Sequence, residues 1–175
     1  MKSAILVCGL VTVAACASAQ AEEELGFLGV KIGFSREQVR EAIKDRGLQC
    51  IDAAKNGVEI MCHVGSGSLT VSSTKNVSPS KVFSVGFIYQ SDDSLEEAGK
   101  YAARQLGLNQ LPTTAKGFGG RPKLVWKIHE DRTLSLSKGM SGYQLLIFDE
   151  AMANADSEAS ATSNAEMLLK GLHAK

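Results

Sequence analysis

Apolar positions along this chain recur with two different periods, and the changes of period divide it into elements. After Ser35-Arg36-Glu37-Gln38, Val39, Ala42 and Ile43 fall at i, i+3 and i+4, the spacing of one face of a helix. Ser35 can accept the Gln38 amide while Gln38 reaches back to it, which forms a capping box, and Gly47-Leu48 supplies a stop. This predicts a short amphipathic helix over 36–46. The same order returns at Ser94-Leu95-Glu96-Glu97, followed by Ala98, Ala102 and Leu106 and closed by Gly107-Leu108, which predicts a second helix over 94–106.

Elsewhere the period is two, as in a strand with one buried face. Leu69 and Val71 alternate with Ser68, Thr70 and Ser72, and Phe83, Val85, Phe87 and Tyr89 alternate with Ser84, Gly86 and Ile88. Beyond the second helix come Leu124, Trp126 and Ile128, then Leu134 and Leu136, then Tyr143, Leu145 and Ile147. Trp126 belongs to such a run and is expected in the core. The separators Gly65-Ser66-Gly67, Glu130-Asp131-Arg132 and Gly139-Met140-Ser141-Gly142 are short, so successive strands should pair as antiparallel meanders. The expected fold is α+β: an antiparallel sheet of about six to seven strands with two short helices on one face. Each helix precedes a meander, which suggests a duplicated helix–meander unit.

Two segments fit neither period. Residues 109–123 hold Pro112, Pro122, Gly117, Gly119 and Gly120, and are expected to form an irregular surface loop. Residues 151–175 open on Ala, Ser, Asn and Asp and end on Met167, Leu168, Leu169 and Leu172, which reads as a tail with a short C-terminal helix.

The first 21 residues change the picture of where the chain acts. Lys2, an apolar run from Ala4 to Ala17 and the close Ala19-Gln20-Ala21 have the layout of a secretory signal peptide with an A-x-A cleavage site. The run is shorter than the ~20 residues a spanning helix needs, so no transmembrane span is expected. A periplasmic or secreted protein beginning at Glu22 follows. Val13-Ala14-Ala15-Cys16 also resembles a bacterial lipobox, and lipidation of Cys16 would instead make an outer-membrane lipoprotein.

Without the signal segment 18 basic residues face 19 acidic ones, Lys2 having been lost from 19. A near-neutral chain without a basic cluster has little with which to neutralise a phosphate backbone, which excludes nucleic acid as the expected partner. Residues 22–150 are long enough for one domain with its own core.

Export leaves Cys50 and Cys62, an even pair in an oxidising compartment. Gln49 to Ala53 and Val58 to His63 read as strands around a Lys55-Asn56-Gly57 hairpin loop, and Ala54 opposite Val58 places Cys50 opposite Cys62. Cross-strand neighbours lie within bridging distance, so a structural disulfide is expected.

Leu28-Gly29-Val30-Lys31-Ile32-Gly33-Phe34-Ser35-Arg36-Glu37-Gln38-Val39 resembles the opening of small bacterial envelope domains of the SmpA/OmlA and β-lactamase-inhibitor-protein-like group. The resemblance implies a small antiparallel sheet with packed helices that holds another envelope protein and performs no chemistry.

Candidates for chemistry are few. His63, His129 and His173 show no metal-ligand spacing, and His129-Glu130-Asp131 reads as a charged hairpin turn. An enzyme would need His129, Glu130 and Asp149 to converge in a cleft. No catalytic motif, cofactor site or metal site is expected. The Gly-rich, basic segment 117–123 lacks the Gly-Lys-Ser/Thr of a phosphate-binding loop. Its Phe118, Arg121 and Lys123 are the candidate binding residues, for a protein partner or alternatively for a small molecule or anion.

Overall fold

The computed structural model describes residues 25–52, 59–140 and 142–173, the last eight of these by backbone alone. The expected signal segment, Cys16, the Lys55-Asn56-Gly57 loop and the apolar side chains at the C-terminus lie outside the described residues.

The fold is α+β. A small hairpin of β1 (Gly26–Phe27) and β2 (Val30–Lys31) leads into α1 (Arg36–Asp45). Four strands follow: β3 (Gln49–Asp52), β4 (Ile60–Val64), β5 (Gly67–Ser73) and β6 (Val82–Tyr89). Next come α2 (Leu95–Gln105) and four more strands: β7 (Thr113–Lys116), β8 (Pro122–Lys127), β9 (Arg132–Lys138) and β10 (Tyr143–Asp149). The long helix α3 (Glu150–His173) ends the described chain. The eight strands β3–β10 form one open antiparallel sheet in the order β3-β4-β5-β6-β10-β9-β8-β7, so the two meanders meet along β6 and β10.

Both capping boxes form. Ser35 accepts from the Gln38 N–H while the Gln38 side chain accepts from the Ser35 N–H, and Ser94 and Glu97 do the same for α2. Gly47 and Gly107, both at positive φ, end the helices, where a residue with a Cβ would be strained.

The register shows how alternation became a core. Ile60, Val71, Val85, Ile147, Leu134 and Trp126 are successive partners across six strands. In the next row stand Cys50, Cys62, Leu69, Phe87, Leu145, Leu136 and Leu124. Both rows point to the same face, where Val39 and Ile43 of α1 and Ala98 and Ala102 of α2 complete the buried cluster. Trp126 is fully buried, as expected for a residue in that row.

Several expectations need correction. Residues 109–123 are not one irregular loop: Thr113–Lys116 pairs with Pro122–Lys127 as a hairpin, turned by a short 3₁₀ segment at Phe118–Gly120. Pro122 is tolerated because it opens its strand, and Gly119 and Gly120 supply positive φ at the turn. This edge strand, added to the expected ones, brings the sheet to eight. Phe83 does not continue the buried alternation of Val85 and Phe87. The register shifts at Ser72/Ser73, so Val82 takes the buried position while Phe83 meets Phe148 edge-on with ring centres 5.9 Å apart. The C-terminal segment is helical from Glu150, well before the short helix expected at its apolar end. Asp149 caps it by accepting the Met152 N–H at 3.0 Å, and its Ala, Ser, Asn and Glu residues tolerate a helix without defining an apolar stripe.

Candidate functional site

At one end of the sheet three loops lie together: 90–93 between β6 and α2, 117–121 between β7 and β8, and 139–142 between β9 and β10. The first two residues after Gly117 cannot bury themselves. The Gly117 N–H donates to the Arg121 carbonyl at 2.7 Å and the Gly120 N–H to the Gly117 carbonyl at 3.1 Å, closing a tight turn that projects Phe118 outward. The Gly139 N–H closes the 139–142 turn on the Gly142 carbonyl at 2.8 Å, with Met140 at its tip. Phe118 and Met140 are fully exposed, the two most exposed large apolar side chains among the described residues.

Both line one open cleft of about 550 Å³. Its other walls come from Arg121, Ser137, Lys138 and Gln144. Lys123 is cross-strand partner of Ser137 and packs beside Gly117, while Lys116 faces Pro122 at the edge of the hairpin. The predicted residues Phe118, Arg121 and Lys123 therefore share one end of the sheet. Sequence reasoning missed Met140 and Lys138, which are contributed by the next hairpin. An apolar residue within Gly139-Met140-Ser141-Gly142 was the available signal, since a turn tip gives Met140 nothing to pack on.

The electrostatics are one-sided. Lys116, Arg121, Lys123 and Lys138 form none of the ion pairs found among the described residues. Lys138 lies over the Tyr143 ring at 5.1 Å, and Tyr143 stacks on Tyr89 and donates its hydroxyl to the Asp93 carbonyl at 2.7 Å. That buried aromatic step holds the 90–93 and 139–142 loops on one rigid support. Asp92 is the acidic residue beside Lys138, across an adjoining hollow. Burial, with the nearby Tyr143 and Asp93, pushes the Tyr89 hydroxyl above its ordinary value and keeps it neutral.

The histidines and carboxylates considered for chemistry are placed elsewhere. His129-Glu130-Asp131 forms the β8–β9 turn, closed by hydrogen bonds between His129 and Arg132. Asp149 is buried, but Arg132 donates to it at 3.2 Å and the Met152 N–H at 3.0 Å, so its oxygens are committed. No group of three or more His, Cys, Asp or Glu able to hold a metal occurs among the described residues. No helix among them is long and apolar enough to cross a membrane.

Cys50 and Cys62 form a disulfide between β3 and β4, at the opposite side of the sheet from β7 and β8. Comparison with protein-family models, with curated proteins and with solved structures finds no match.

Proposed function

We propose that this is an exported, non-catalytic module that binds another envelope protein through the 117–121 and 139–142 loops and the adjoining outer face of the sheet. The observation that carries this reading is the exposure of Phe118 and Met140 on either side of one cleft. Large apolar side chains held in water on a rigid support cost solvation unless a partner covers them. The signal-like segment and a disulfide suited to an oxidising compartment support export to the periplasm or beyond.

The element order supports the duplicated-unit reading, since a helix and a four-strand meander occur twice and join along their last strands. It also fits the architecture implied by the resemblance of residues 28–39 to the SmpA/OmlA and β-lactamase-inhibitor-protein-like group.

Replacing Phe118 with a photo-crosslinking phenylalanine analogue tests the reading in intact cells. A discrete crosslinked protein that disappears when Met140 is changed to Ser supports it, and a smear identical to that from an analogue placed at exposed Glu158 refutes it.

A second reading draws on a separate observation, the four cations Lys116, Arg121, Lys123 and Lys138 outside any ion pair among the described residues. These could hold a small anion with the backbone of the Gly-rich turn. Inorganic phosphate raising the melting temperature of the wild type, and not of Arg121→Ser, would favour this reading.

A further inference from the structure

The third helix is attached to the domain in a different way from the other two. Helix α1 buries Val39 and Ile43, and α2 buries Ala98 and Ala102. Along residues 150–165 of α3 no side chain is fully buried; Met152, Ala153, Asp156, Ala159 and Ser160 are partly buried, and the helix packs against β6. Its side-chain hydrogen bonds to the 75–77 segment come from Asp156. The Asp156 carboxylate accepts the backbone N–H groups of Lys75 at 2.7 Å, Asn76 at 2.6 Å and Val77 at 3.2 Å, and also the Asn76 side-chain amide at 3.3 Å. Three consecutive N–H groups converging on one oxygen form an anion-binding nest, filled here by a carboxylate from about eighty residues further along the chain.

On the outer face of the sheet Phe83 and Phe148 meet, and Ser84 is buried although its cross-strand partners, Ser72 and Phe148, place it on that face. The cover on this face is the helix that follows β10 and packs along β6.

We propose that α3 is a detachable strap over the outer face of β6, latched by Asp156 in the 75–77 nest. Asp149, which caps the helix and pairs with Arg132, is the fixed end from which the strap lifts. Most helical stability in a folded protein comes from docking, so detachment opens the amides of α3 to exchange.

Native-state hydrogen exchange on the full chain, with Asp156→Ala and Asp156→Asn beside the wild type, tests the latch. In the wild type α3 exchanges faster than β5, β6 and β10. The alanine variant loses about tenfold or more protection across 150–165 and 75–77, with α1, α2 and the central strands unchanged. A second reporter is Ser84→Cys, whose thiol reacts faster in the Asp156→Ala background if the strap lifts. The proposal is overturned if α3 exchanges only with the central strands, or if Cys at position 84 reacts at the rate of global unfolding in both backgrounds.

Discussion

Gly99 of α2 and Leu124 of β8 are in such close approach that a Cβ on the glycine would run into the Leu124 Cδ1, with the Trp126 ring just behind at 3.8 Å. Glycine inside a helix normally costs about 1 kcal/mol against alanine. Here it lets the helix seat directly on Leu124 and Trp126. Gly99→Ala is expected to change stability by less than about 1 kcal/mol, because the leucine terminus can rotate aside while the helix gains propensity. Gly99→Val is expected to cost about 1–3 kcal/mol through overpacking. Denaturant midpoints of the two variants check the ordering.

The Cys50–Cys62 bridge closes a short loop of separation 12. Its removal should cost about 3 kcal/mol by the loop-entropy relation. Cys50→Ala with Cys62→Ala, compared with the oxidised wild type in urea, should show that loss with the cleft intact. Equal midpoints would mean that the hairpin is held by its ladder and packing alone.

Acid should loosen α3 before the rest of the domain. Partial burial pushes the Asp156 carboxyl up, but the N–H groups of Asn76, Lys75 and Val77 and the Asn76 amide outweigh it and hold the carboxyl below its ordinary value. A depressed folded-state value means that the contribution is present above the unfolded carboxylate range and fades as pH falls through it, below about pH 4. Hydrogen exchange in 150–165 should therefore rise relative to α2 on going from pH 6 to pH 3, once corrected for intrinsic rates. Asp156→Asn should abolish that difference between the two pH values.

Much of the fold was legible because physics acts locally on it. Ser35 with Gln38 and Ser94 with Glu97 fix helix starts from four-residue patterns, and the alternation around Val71, Leu134 and Ile147 fixes faces. Pairing Cys50 with Cys62 required only a hairpin count. What was hidden depends on contacts between distant segments. The extra residue at Phe83 follows from the register shift of β6 on β5, and the edge strand at Thr113–Lys116 follows from pairing with β8 in spite of nearby prolines and glycines. Asp156 gave no sign of its role, since its partners are backbone groups of residues 75–77. The candidate cleft was half legible: Phe118, Arg121 and Lys123 sit in one Gly-rich run, whereas Met140 and Lys138 join them only once β8 and β9 are paired.

The central claim is that Phe118 and Met140 are exposed for a partner and contribute nothing to the fold. It is tested most directly by Phe118→Ser with Met140→Ser, read in one preparation for thermal stability and for photo-crosslinking from an analogue placed at the neighbouring Lys116. An unchanged melting temperature with loss of the crosslinked partner is the predicted result. A crosslink retained at full yield by the double variant, or a melting temperature several degrees lower, would contradict the account.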